Sequence, residues 1–273
     1  MDAYQTVVSN FTILLYASAG AIIWRQLLRG QASETGHNKI ALACGTAAVV
    51  LHAVVLFYTL QPHTTLNVAL TNMISLVAWV IAVQFLITVT TKPVTNLGII
   101  VMPLGALTLL AQEFWPGMHL LPAQSSSYLA VHVIVSLVAY SLLSLATVQS
   151  MLLLVQESRL HHKQAGRMIR ALPPIETMES LMVGMVWIGF ILLTITVITG
   201  IFFSEETFGQ PLKFTHHIFL SLLAWIVYTL FLFGRWRFGW RGRKAVIWVM
   251  SAGILLALAY FGTKFVTEYL LHR

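Results

Sequence analysis

The residues best equipped for chemistry in this chain are ten histidines, scattered singly or in pairs through an apolar sequence. An imidazole can ligate a metal, shuttle a proton or hold a buried hydrogen bond. His52 lies inside a long apolar run, His132 stands near the start of another, and His216 and His217 open a third. His63, His119 and His272 fall in short connections or after the last run, where imidazoles are ordinarily solvated. His161 and His162 lie in a basic stretch, where they are expected to face anionic headgroups, and His37 lies in an earlier loop near basic residues. There is no H-E-x-x-H and no compact His/Cys/Asp cluster that would suit zinc. The apolar runs hold almost no carboxylates, which argues against a proton or cation pathway.

Single histidines on separate helices, set among Trp, Tyr, Phe and Met, do suit haem. Its iron takes one or two axial imidazoles and its ring needs a broad apolar wall. Each candidate also has a structural alternative. His52 can hold two helices together by an interhelical hydrogen bond. His132 can be a wet imidazole at the membrane interface. His216 and His217 are adjacent and point about 100° apart on a helix, so only one of them can face inward. Cys44 is the single cysteine, which excludes an intramolecular disulfide or a CxxC pair.

The elements that must carry these histidines are membrane spans. The 273 residues are 58% hydrophobic and 9% charged, with a mean hydropathy of +0.82. A soluble domain would carry roughly 25% charged residues. The expected fold is all-α, a polytopic helical bundle with eight spans forming one domain over residues 1–273. The spans fall at about 8–28, 39–61, 67–90, 96–113, 127–157, 177–203, 214–234 and 245–270. The fourth holds Pro103 and Gly105 and reads as a kinked or re-entrant segment. The first has no basic leader and no A-x-A site, so it reads as a retained span.

Thirteen of the sixteen Lys and Arg lie in alternate loops, the first, third, fifth and seventh. The positive-inside rule makes those loops cytoplasmic and puts both termini outside. Seven of the ten His then lie on the outer side. The basic residues flank spans rather than forming a soluble patch, so the partner they imply is a lipid bilayer and not nucleic acid. Glu176 and Glu179 read as acidic residues favoured at the start of the sixth span. The 157–171 stretch reads either as an amphipathic piece along the inner surface or as a solvated loop, ended by Pro173-Pro174.

The segment Leu129-Ala130-Val131-His132-Val133-Ile134-Val135-Ser136-Leu137-Val138-Ala139-Tyr140 resembles the helix-opening His segment of the CcsA/CcmC/CcmF cytochrome c assembly superfamily. Gly189-Phe190, Leu192-Leu193-Thr194 and Thr199-Gly200 continue the likeness, as do Trp225 to Gly242 and Ala259-Tyr260-Phe261-Gly262. Leu51-His52 is similar to the early intramembrane His of these proteins. The likeness covers most of the chain and is greatest to the HemX/YpjD-like branch of bacterial inner-membrane proteins.

The resemblance implies a haem-binding accessory or chaperone in cytochrome c biogenesis, with His132 as outer-face ligand and His52 as a deeper ligand or a stabiliser of the bundle. It implies His217, His216 or His272 as the partner of His132, or none, because the second outer His of the superfamily falls near Leu271. The second intramembrane His falls at Phe233. Ligating members carry a tryptophan-rich WWD motif in the outer loop before the seventh span. Here that loop, Ser204 to Lys213, has no Trp. The resemblance therefore implies no synthase activity, and no catalytic constellation is recognisable. Expected partners are haem, lipid and other membrane or cytochrome-biogenesis proteins. The alternative is a membrane scaffold or regulatory partner that keeps the fold without haem.

Overall fold

The computed structural model describes residues 3–29, 39–60, 67, 69–91, 94–118, 127–162, 172–202, 216–262 and 265–266. The described helices are α1 (Ala3–Leu28), α2 (Lys39–Leu60), α3 (Leu70–Thr91), α4 (Gly98–Phe114), α5 (Ser127–His161), α6 (Ile175–Phe202), α7 (His216–Phe238) and α8 (Gly242–Ala257). A short 3₁₀ turn, Thr95–Leu97, leads into α4, and a π-helical turn, Leu258–Gly262, extends α8. Eight helical segments are long and apolar enough to cross a membrane. Each follows from a run of about 20 apolar residues whose backbone must bond internally in lipid. His272, His63, His119, His37 and the 204–213 loop lie outside the described residues.

Two compact units emerge, Met1–Ala123 with Ser158–Pro174, and Gln124–Glu157 with Ile175–Arg273. In the first, α1 packs on α2 and α4, and α3 packs on the same two helices, so the four close into a ring. Tyr16, Leu27, Phe85, Leu97, Met102 and Leu109 fill its centre. The polar core of this ring is unusual for hydrocarbon surroundings: His52, Asn72, Ser75 and Gln112 are all buried. The fourth span is an unbroken helix through Pro103 rather than a re-entrant loop. Proline there removes one backbone bond without ending the helix, a defect that neighbouring helices tolerate in membranes.

In the second unit α7 packs against α6, α8 and the π turn. Tyr228 and Phe231 of α7, Met178 and Met182 of α6, and Leu143 and Leu145 of α5 are fully enclosed. Helix α5 runs to His161, four residues beyond the expected end of its span. At about 1.5 Å per residue its 35 residues exceed the hydrocarbon thickness, so it tilts or projects beyond the bilayer.

The connection between α7 and α8 is a built corner. Gly239 and Gly242 adopt positive φ, 65° and 56°, a region that side chains with a Cβ avoid. The Glu179 carboxylate pairs with the Arg235 guanidinium and accepts the Gly242 N–H at 2.9 Å. Arg235 also donates to the Trp240 carbonyl at 2.9 Å. Glu179 therefore does more than favour its own helix start: it ties α6 to the end of α7 and the start of α8.

Candidate functional site

The two intramembrane histidines sit in unlike surroundings. His52, on α2, is fully buried, and both ring nitrogens are engaged. Its Nδ1 meets the Tyr16 hydroxyl at 3.1 Å and its Nε2 meets the Ser75 hydroxyl at 2.8 Å. Ser75 donates to Gln112 Oε1 at 2.8 Å, and Gln112 Nε2 donates to Asn72 Oδ1 at 2.9 Å. Asn72 Nδ2 then donates to the Asn67 carbonyl at 3.2 Å, and Asn67 Nδ2 to the Gly117 carbonyl at 3.1 Å.

This chain has one consistent direction. Because the Ser75 proton goes to Gln112, Ser75 accepts from His52, whose proton must be on Nε2. Nδ1 is then the acceptor for Tyr16. Every link donates one way, from Tyr16 on α1 through α2, α3 and α4. Such a fully satisfied network specifies one packing, because any broken link strands a polar group in an apolar interior. Tyr16 reaches His52 because Gly105 lies beneath its ring: a Cβ there would come within 2.9 Å of Tyr16 Cζ. To ligate iron, His52 would have to give up Ser75 or Tyr16. The donor set around it fits a structural hub better than an open ligand.

His132, on α5, is only half-buried. Its Nδ1 meets the Thr199 hydroxyl of α6 at 2.8 Å. Thr199 donates its own proton to the carbonyls of Ile195 at 2.8 Å and Thr196 at 3.1 Å. With that proton committed, Thr199 accepts from His132, so the imidazole proton resides on Nδ1. The Nε2 lone pair is then left without a hydrogen bond among the described residues. A histidine whose second nitrogen is anchored in this way is the arrangement that metal-ligating imidazoles use. Gly200 lets the ring lie close to α6, since a Cβ there would stand 3.3 Å from His132 Cε1.

His217 is half-buried, whereas its neighbour His216 is exposed. The His217 ring meets Tyr260 edge-on, with centroids 6.1 Å apart. Tyr260 stands on the π turn, a feature often found at functional sites, and packs against Tyr140 at 5.7 Å. Tyr140 in turn bonds Ser221 at 3.2 Å. His217, Tyr260 and Tyr140 thus form one chain of ring contacts, while His216 beside it is exposed. No group of three or more His, Cys, Asp or Glu able to hold a bare metal ion occurs among the described residues. An imidazole anchored at Nδ1, with no hydrogen bond at Nε2 among the described residues, fits a haem ligand.

Sequence reasoning missed Thr199 as the anchor of His132, and missed the Tyr16–Ser75–Gln112–Asn72 set around His52. A signal for the latter existed in the isolated amides and hydroxyls inside otherwise apolar spans.

The family model described as Cytochrome C assembly protein matches residues 40–271. The chain is similar to Inner membrane protein YpjD of Escherichia coli (strain K12), 28% identical over 264 residues, covering 96% of this chain and 98% of that protein. It is also similar to Cytochrome c biogenesis protein CcsA of Chlamydomonas reinhardtii, 26% identical over 58% of this chain and 44% of that one. Protein HemX of Brevibacillus brevis is 25% identical, with 50% of this chain and 51% of that protein covered. Eight apolar helices and likeness to an inner-membrane protein along nearly its whole length fit a multi-pass bacterial inner-membrane protein. With its family match running from the second span past the last, the chain belongs to the cytochrome c assembly protein family.

Proposed function

We propose that this protein is a haem-binding membrane accessory in cytochrome c biogenesis that takes haem at His132 on the outer face of the membrane. The observation that carries this reading is the anchoring of His132 Nδ1 by Thr199, which leaves Nε2 without a hydrogen bond among the described residues. His217, half-buried at the start of α7, is the partner imidazole in this reading; His272 lies outside the described residues and is the alternative. When bound, the haem would supply an iron with exchangeable axial positions, suited to transient holding of the group. The protein's own residues orient the imidazole, hold its proton on Nδ1 and present an aromatic wall. His52 serves as stabiliser of the first four helices. We take residues 1–273 as one domain, because the family match spans both compact units. Both termini are outside in this reading, on the charge bias of the loops.

The loop from Ser204 to Lys213 has no Trp, so the reading assigns haem holding and not thioether formation. That same loop, together with the doubly bonded His52, favours the second reading: a scaffold that keeps the fold without haem. An absorption spectrum separates them. Protein purified after expression with ample haem should show a Soret band that His132→Ala removes. A clean preparation that stays colourless and takes up no added haemin leaves only the scaffold.

A further inference from the structure

The α7–α8 corner has a composition that its packing does not use up. Residues 235–244 hold five cations, Arg235, Arg237, Arg241, Arg243 and Lys244, and no acid. Two carboxylates stand at this corner. Glu179 is committed to Arg235 and the Gly242 N–H. Glu157 Oε1 approaches Gly242, 4.0 Å from where a Cβ would be. Arg237, Arg241, Arg243 and Lys244 are exposed, and none forms an ion pair among the described residues. Two of them are nonetheless placed. Lys244 Nζ lies 4.0 Å above the Trp240 ring, and the Arg237 guanidinium lies 5.9 Å from the centre of the Phe238 ring. Trp240 packs against Trp248 of α8 in a tilted arrangement, with centroids 5.1 Å apart.

The same turn presents Trp236 and Phe238 outward, 78% and 65% exposed. Connecting two spans, the corner lies at the depth where headgroups meet hydrocarbon. Large aromatics there seat in the interface, and the cations beside them meet phosphate. Loop charge alone would satisfy topology with any disordered basic stretch. Here the Glu179 tie and the two positive-φ glycines hold the cations on a defined frame.

We propose that the α7–α8 corner is a binding site for the phosphate headgroup of an anionic phospholipid, gripped by Arg237, Arg241, Arg243 and Lys244 with Trp236 and Phe238 seated in the adjoining acyl layer. The site is separate from His132 and His217, and it stands whether or not haem is bound.

Native mass spectrometry of the full-length protein in mild detergent tests this with phosphatidylglycerol and chain-matched phosphatidylcholine. The wild type should retain phosphatidylglycerol with a preference of about tenfold. The combined variant Arg237→Gln, Arg241→Gln, Arg243→Gln, Lys244→Gln should reduce that preference to below about twofold. The combined variant Arg25→Gln, Arg29→Gln, Lys39→Gln removes exposed charge elsewhere and should leave it unchanged. Should the corner variant fail to fold, the single exposed substitutions Arg241→Gln and Lys244→Gln should each lower retention about two- to threefold. Equal losses in the corner and control variants, or no preference in the wild type, would overturn the proposal. Displacement of the lipid by millimolar inorganic phosphate would also overturn it, by showing a free-anion site.

Discussion

His52 and His132 are both imidazoles in apolar helices, yet their neighbours prepare them for opposite tasks. His52 spends both nitrogens on Tyr16 and Ser75 inside a closed ring of four helices. His132 spends one, on Thr199, and at its half-buried position the other has no hydrogen bond among the described residues. The difference does not lie in the histidine or in its burial alone. It lies in whether the partner hydroxyl has an outlet for its own proton and whether a second partner waits across the ring. Ser75 passes its proton to Gln112, and Tyr16 closes the far side. Thr199 passes its proton to its own helix backbone, and nothing among the described residues closes the far side. One arrangement closes a network, and the other supports the ligand role proposed for His132.

The largest effect that would break this contrast is expected at the hub. His52→Ala strands Tyr16 and Ser75 and opens a cavity, and should cost about 3 kcal/mol in reversible unfolding. A loss below about 0.5 kcal/mol would mean the network is not structural. Gln112→Leu cuts the chain in its middle and should cost about 1–2 kcal/mol, read from the same unfolding curves. Gly105→Ala forces Tyr16 off its seat and should cost about 1 kcal/mol, with helicity unchanged by circular dichroism. Smallest in stability is Thr199→Val, expected within about 0.5 kcal/mol of wild type. It should still weaken haem retention about tenfold, because the ring loses the bond that orients it and fixes its proton. If haem binds the wild type and Thr199→Val equally well, Thr199 is only a packing neighbour.

Much of the architecture was legible in the residues. Eight spans follow from apolar runs of membrane length, and isolated histidines in such runs mark positions that need explaining. Two things were not legible. Pro103 and Gly105 suggest a kinked or re-entrant fourth segment, but Pro103 is carried within a continuous helix and Gly105 makes room for Tyr16. Local propensity gives way here to packing that only the assembled ring supplies. The tautomers were also hidden, because each is set by a side chain far along the chain. Thr199 lies 67 residues from His132, and Gln112 lies 37 from Ser75. Periodicity identifies faces, but the direction of a hydrogen-bond chain depends on which hydroxyl has somewhere else to donate. The corner at Gly239-Trp240-Arg241-Gly242 was visible as a motif, and its reason, two positive-φ residues held by Glu179, was not.

The most direct test of the His132 assignment is a haemin titration of purified His132→Gly, with and without free imidazole, beside the wild type. The wild type should show a Soret band, His132→Gly should lose it, and imidazole filling the vacated ligand position should restore it. A band of full intensity in His132→Gly without imidazole would contradict the assignment.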